Sequence, residues 1–292
     1  MSSLLRHADG APARHVFALR DADRPALLEL LDEDPFVNAV LASRVHALPT
    51  FEPRRFGGEL LGVRDDAGGL AGAAFLGGNL LPVGGDIAAW RALARSFARR
   101  PRPCSSFVGR ADAIGVLWDE LAPAWGPERA VRARQLLLTL DSSAAARLPV
   151  GDERLHIVRR GELDVYLPAA VAMFTEELGI SPLTGRRGDY RARVAGLVGE
   201  RRALAVTDRL GVVFKADIGA VTPQTCQVQG VWVRPDARGR GIGTAAMTAV
   251  LRHGLTLAPS VSLYVNDFND VAVRMYATLG MRHVADLATV LF

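Results

Sequence analysis

The run from Arg234 to Met247, RPDARGRGIGTAAM, is the stretch whose residue types and spacing point most directly to chemistry. Gly239, Gly241 and Gly243 alternate with Arg238, Arg240 and Ile242, and a helix-like run begins at about Thr244. Glycine lets backbone N–H groups turn toward a ligand with no Cβ in the way. A helix starting directly behind adds unpaired N–H groups and the positive end of its dipole. Together these features make a cradle for a phosphate or pyrophosphate. A Walker loop needs Gly-Lys-Ser/Thr after its last glycine, and no lysine stands here. A dinucleotide fingerprint needs G-x-G-x-x-G, and Thr244 occupies its last glycine position. A third pattern, Arg/Gln-x-x-Gly-x-Gly/Ala, is met at every fixed position by Arg238 to Gly243.

Other polar groups fall where a sheet would gather them. Lys215 and Asp217 are two apart in the strand-like GVVFKADIGAV, so both point to one face with Val213. Gln227 and Gln229 share a face of the next strand in the same way. Such a cluster marks a cleft, a structural ion pair or a domain-interface contact. Lys215 is the only lysine, every other basic residue being arginine, which with the high alanine and glycine content reads as the codon bias of a GC-rich genome. Cys104 and Cys226 lie far apart in apolar, strand-like settings and read as reduced core thiols. The six histidines show no metal-ligand spacing, so no metal is expected. A formal charge of only +4, carried by scattered arginines, argues against a nucleic-acid partner.

The elements that must position these residues can be read from periodicity. The 292 residues, about half of them hydrophobic, suffice for two ordinary domains. No apolar run reaches the roughly 18 residues of a membrane span, and the N-terminus lacks a secretory core. A cytoplasmic protein without membrane attachment is expected. The small, polar segment Asp141 to Glu153 reads as a linker, giving domains 1–142 and 153–292. After it come a short strand, two helices, three strands rich in β-branched residues, the glycine loop with its helix, then strand, helix and terminal strand. The first half repeats this rhythm, which points to an internal duplication. Where the second half has its glycine loop the first offers PVGGD, without arginines. If the halves are related, the first has lost its anion site.

Arg238 to Gly243 after VWVRP, followed by LYVNDFNDVAVRMYATLGM, resembles the coenzyme A pyrophosphate loop and the next strand and helix of the GNAT N-acetyltransferase superfamily. The resemblance covers about Arg154 to Phe292. DPFVNAVLASRV, GGNLLPV, VVFKADIGAV and VSLYVNDFN extend it to actinobacterial two-domain GNAT proteins whose N-terminal domain is uncharacterised. It implies an α/β fold with a mixed sheet flanked by helices, present twice, the first copy degenerate. It further implies acetyl-CoA as co-substrate and transfer to a primary amine of a small molecule or peptide. Val231, Trp232 and Val233 would line the pantetheine arm through their backbone. Arg238, Gly239, Arg240, Gly241, Ile242, Gly243 and Thr244 would hold the pyrophosphate. Asn269 matches an asparagine that contacts the pantetheine, and Tyr276 the tyrosine that protonates the departing thiolate.

The residues agree with that chemistry in part. Asn269 and Tyr276 are seven apart, close to two helical turns. A phenol, with a usual pKa of about 10, can give a proton to a thiolate whose acid lies near 8.5. The base that takes the amine's proton is less evident. Some family members carry a glutamate where this chain has about Gln227, which cannot serve. Glu176, Glu177, Asp217 or a chain of waters remain candidates. The loop GISPLTGRRGD, with Arg186 and Arg187, would shape the acceptor site. Two other readings stay open: a coenzyme A-binding sensor or scaffold without catalysis, and a transferase using another acyl donor. A homodimer is conceivable.

Overall fold

The computed structural model describes residues 14–184 and 187–292, with side chains left out at 185–188. Of the two loop arginines, Arg186 lies outside the described residues and the side chain of Arg187 is not described. The chain forms two compact units.

Among the described residues, unit 1 comprises 14–34, 47–133 and 287–292. Its strands are β1 (Val16–Ala18), β2 (Gly58–Arg64), β3 (Leu70–Gly77), β4 (Asn79–Gly84) and β5 (Ser106–Arg110), completed by the C-terminal half of the last strand, β12 (Arg282–Leu291). Pairing is antiparallel from β1 to β4, parallel between β4 and β5, and antiparallel between β5 and Leu287–Leu291. Its helices are α1 (Arg24–Asp32), the short α3 (Pro53–Phe56), α4 (Ile87–Phe97) and α5 (Ala111–Trp125). Trp90, Leu93 and Phe97 of α4 and Ile114, Leu117 and Leu121 of α5 recur at helical spacing and bury one stripe each against Leu80, Phe107 and Val290 of the sheet.

Unit 2 comprises residues 35–46 and 134–286. Its sheet runs β7 (His156–Ile157), β8 (Ala203–Asp208), β9 (Gly211–Val221), β10 (Cys226–Val233) and β11 (Ser260–Asn266), and β6 (Ala130–Asp141) pairs antiparallel with β11 from Gln135 to Asp141. β10 and β11 are the parallel pair. Helices α6 (Leu163–Leu178), α7 (Arg187–Gly199), α8 (Ile242–Leu255) and α9 (Asp270–Thr278) belong to it, with most of α2 (Ala39–Ala47). α6 ends where Gly179 takes φ +70. Met247, Val250 and Leu251 of α8 are fully buried against Val228, Val261 and Leu263. Cys104 and Cys226 are free, buried thiols, whose pKa values burial pushes up to about 11 and about 12.

The two sheets thus have one topology, and the fold is a tandem α/β arrangement of mixed sheets flanked by helices, as the duplicated rhythm predicts. The units divide elsewhere than the boundaries 1–142 and 153–292. Arg134–Asp141 serves the sheet of unit 2, Leu287–Phe292 that of unit 1, and residues 35–46 join unit 2. Ser43 Oγ accepts from Val221 N at 3.3 Å, and the Phe36 carbonyl accepts from Gln227 Nε2 at 3.4 Å. The polar segment after Asp141 marks where the chain turns. Which sheet a flanking strand joins is decided by the ladder it can complete.

The last six residues are therefore a structural part of the N-terminal half. Leu287 and Val290 are buried, and the Phe292 ring lies 5.2 Å from Phe107 and 5.6 Å from Trp118. At roughly 2 kcal/mol per large apolar side chain withdrawn from water, deleting Leu287–Phe292 should destabilise unit 1 by on the order of 5 kcal/mol. Trp90, Trp118 and Trp125 lie in unit 1 and report on it. Denaturant titration followed by tryptophan emission should show a lower midpoint. An unchanged midpoint would contradict this assignment.

Candidate functional site

The site starts from a sheet that comes apart. Only Cys226↔Val261 and Gln227↔Ser262 are in register between β10 and β11, although β10 continues to Val233 and β11 to Asn266. Past Gln227, the β11-facing edge of β10 has no strand partner in register. On its other edge β10 carries one extra residue. Gln229 faces Asp217 and Trp232 faces Lys215, so Gly230 and Val231 together oppose Ala216. Gly230 adopts φ +59, and a Cβ there would stand 2.9 Å from Asp217 Oδ2 and 3.0 Å from Lys215 Nζ and Met173 Sδ. Only glycine serves at this point.

Beneath the bulge lies a buried polar group. Lys215 Nζ, 0% exposed, donates to Asp217 Oδ2 at 2.7 Å and to the Gly230 carbonyl at 2.9 Å. Tyr166 OH donates to Asp217 Oδ1 at 2.5 Å. Burial, then the Asp217 charge, push the Tyr166 phenol well up. Of cleft and ion pair, the sheet-face cluster of Lys215 and Asp217 is the ion pair. Removing one partner of such a pair costs about 3–5 kcal/mol, because the other is left charged and unpaired.

The glycine loop follows β10. Arg234 forks onto Asp208 through Nη1 at 2.9 Å and Nη2 at 2.6 Å, tying the end of β8 to the start of the loop. Gly239 and Gly241 take φ +72 and +77, and a Cβ at either would meet nothing within 4 Å. Gly243 is close-packed instead, its Cβ position 3.2 Å from Val233 Cγ2. Helix α8 starts at Ile242, two residues before the start read from the sequence, with no side chain capping it. The first-turn N–H groups of Ile242, Gly243 and Thr244 thus stand behind two exposed glycines with open space around them. Free N–H groups at an open helix start fit a pyrophosphate. Arg238 is turned elsewhere: its Nε donates to the Val233 carbonyl at 2.9 Å and its Nη2 to Glu176 Oε2 at 2.7 Å. Trp232 Nε1 donates to the same oxygen at 3.1 Å.

Tyr276 is 5% exposed on α9, and burial raises its phenol, which stays protonated across the neutral range. Asn269 is the N-cap of α9 rather than part of it. Its Oδ1 accepts from Ala272 N at 3.2 Å, which leaves the amide NH2 to donate. Gln227, whose amide is no base, is 2% exposed and turned to Phe36. Two of the candidate bases are engaged. The Arg238 hydrogen bond first, with Trp232, holds Glu176 below the usual carboxylate range. Both oxygens of Asp217 already accept. Tyr166 and the Glu176–Trp232 contact escaped the sequence reading. The one trace of the former was a lysine two residues from an aspartate in an otherwise apolar strand.

Unit 1 offers the same geometry with the cradle filled. β4 and β5 are in register only at Asn79↔Ser106 and Leu80↔Phe107. A Cβ at Gly84 would lie 2.4 Å from Leu30 Cδ1, and one at Gly85 2.9 Å from Trp90 Nε1. The Asp86 carboxylate accepts from Ala89 N at 2.9 Å and caps α4, so the helix end already faces an anion of the chain itself.

Residues 197–281 match the acetyltransferase (GNAT) family, and residues 58–166 match a domain of unknown function (DUF4081). No curated protein matches the chain. Solved structures share the fold over nearly the whole length. A Drosophila protein superposes with a TM-score of 0.66 at 12% identity, covering 95% of this chain and 98% of its own. A GCN5-related N-acetyltransferase from Sphaerobacter thermophilus gives 0.58 at 17%, covering 96% and 95%. A tandem GNAT protein from the clavulanic acid biosynthesis pathway gives 0.55 at 14%, covering 94% and 98%. At these identities the likeness establishes the GNAT fold and its tandem form. Among the described residues no group of three or more His, Cys, Asp or Glu is placed to hold a metal ion, and no helix is long and apolar enough to cross a membrane.

The clamp at the root of the loop has a pH signature. Hydrogen bonds from Arg234 hold the Asp208 pKa at about 2, against about 3.9 in an unfolded chain. Its contribution is complete above pH ~4 and is lost as pH falls through 2. Asp208→Asn should therefore lower the melting temperature relative to the parent at pH 7, and that difference should vanish near pH 2. A pH-independent difference would assign the effect to something other than the ion pair.

Proposed function

We propose that the chain is an acetyl-CoA-dependent N-acetyltransferase that uses only its C-terminal site. The observation that carries this reading is the contrast between the halves. Both split a parallel strand pair beside a helix start, but only the loop at Arg238–Thr244 leaves open space at its glycines before an uncapped helix start.

Acetyl-CoA supplies an acetyl group activated as a thioester. The loop from Arg238 to Thr244 holds its pyrophosphate through backbone N–H groups, with Arg240 adding positive charge. The unpartnered edge at Val231, Trp232 and Val233 takes the pantetheine arm in the manner of an added strand, and the Asn269 amide donates to that arm. A backbone N–H of the bulged β10 polarises the thioester carbonyl. The amine nitrogen forms the new C–N bond as the C–S bond breaks. Tyr276 gives its proton to the sulfur. The amine's proton leaves through water, since Glu176 and Asp217 are turned to other partners and the Gln227 amide cannot take it. That engagement of the candidate bases is also the one observation favouring the second reading, a coenzyme A sensor without turnover.

Calorimetric titration tests the binding half. Acetyl-CoA should bind at one equivalent per chain, and Gly241→Glu should abolish binding by filling the cradle. No binding to the parent protein would refute the proposal, and two equivalents would return the first half to activity. Tyr276→Phe tests the chemical half. Once an amine panel has supplied an acceptor, kcat should fall roughly 100-fold or more while the acetyl-CoA affinity stays. An unchanged kcat would remove Tyr276 from the reaction, and no turnover with any amine would favour the sensor.

A further inference from the structure

Unit 2 buries an ion pair that neither the pyrophosphate cradle nor the thiolate acid uses. Lys215 is completely buried, and it is the single lysine in a chain that otherwise places arginine at every basic position. Its environment explains the exception. A compact ammonium with three donors meets Asp217 Oδ2, the Gly230 carbonyl and, at 3.5 Å, Met173 Sδ. A planar guanidinium fork cannot replace that point charge. Stability gives no reason to keep the pair, because apolar residues of similar volume commonly hold a core as well or better.

What the ammonium does is local to the Gly230–Val231 peptide. In a trans peptide the carbonyl and the following N–H point in opposite directions. Lys215 stands on β9, one neighbour of β10, and β11 is the other. The Lys215 ammonium stands off the sheet face that carries Asp217, so a Gly230 carbonyl drawn to it leaves the plane of the β9–β10 ladder, and the Val231 N–H leaves it on the opposite side. We infer that Lys215 is a positioning residue that aims the Val231 N–H at the thioester carbonyl oxygen, with Asp217 and Tyr166 holding the ammonium in place. This rests on the acetyltransferase reading and names which donor polarises the carbonyl and what fixes it. Gly230 is required on the same account, since a side chain there would strike both members of the pair.

The test uses acetyl-CoA labelled with carbon-13 at the acetyl carbonyl, whose stretch moves to lower frequency when the oxygen accepts a strong hydrogen bond. Isotope-edited infrared spectra would be taken of the full chain and of Tyr166→Phe, Lys215→Met and the double variant Lys215→Met/Asp217→Asn, each with its acetyl-CoA affinity from calorimetry. The double variant removes both charges and so guards against misfolding from an unpaired aspartate. The parent should show the low-frequency shift, and Tyr166→Phe should keep it because the ammonium stays. The two lysine variants should lose most of it with affinity unchanged within about threefold, and kcat should fall on the order of 100-fold, as for loss of one oxyanion donor. A folded double variant that keeps the shift overturns the inference, as does a parent protein that binds without any shift. A parent protein that does not bind acetyl-CoA overturns the acetyltransferase reading itself, and the inference with it, and is told apart by calorimetry alone.

Discussion

Everything at this site depends on the early end of one parallel ladder. Backbone N–H and C=O groups in a sheet interior are normally paired, and leaving them unpaired is expensive unless another partner arrives. β10 and β11 stay in register for two residues and then part, which opens a strand edge inside the protein rather than at its border. The glycine loop and the start of α8 lie at the far end of that edge, so one opening presents backbone donors along its length and a helix dipole at its end. The extra residue at Gly230–Val231 belongs to the same event. A bulge turns peptide groups out of the ladder and lets one strand leave its neighbour.

The bulge in turn is held from below by charge. Lys215, Asp217 and Tyr166 come from a strand and a helix distant in sequence and form a closed set of hydrogen bonds with the Gly230 carbonyl. Such a set is unforgiving, because each member is costly to leave alone. It is also rigid, which is what a carbonyl-polarising donor needs. Preorganised dipoles assist a reaction because they do not have to reorient as charge develops.

The two halves differ little at the position of the proposed anion site. Both have the same strand order, the same short parallel register and a helix starting beside the split. In the first half Leu30 and Trp90 approach the glycines and Asp86 caps the helix. In the second, Gly241 caps the helix with no side chain at all, and the space before it is clear. A single carboxylate at the N-cap both stabilises the helix and occupies the position an incoming phosphate would need.

Local pattern settled much of this in advance. The helices and strands follow from apolar periodicity, and β9, α5 and the glycine loop begin and end about where their residues require. The cradle was legible because its chemistry is contained in six consecutive residues, Arg238 to Gly243. The rest depended on contacts between residues far apart in the chain. Register decided that Gly230 and Val231 form a bulge. Ladder completion decided that Leu287–Phe292 belongs with the first half and Arg134–Asp141 with the second. Only packing showed that Arg238 reaches Glu176 across 62 positions and Tyr166 reaches Asp217 across 51, turning two candidate bases into engaged partners. A sequence states which side chains can ionise or donate. Their role is fixed by the neighbours that burial brings against them, and those are properties of the folded chain.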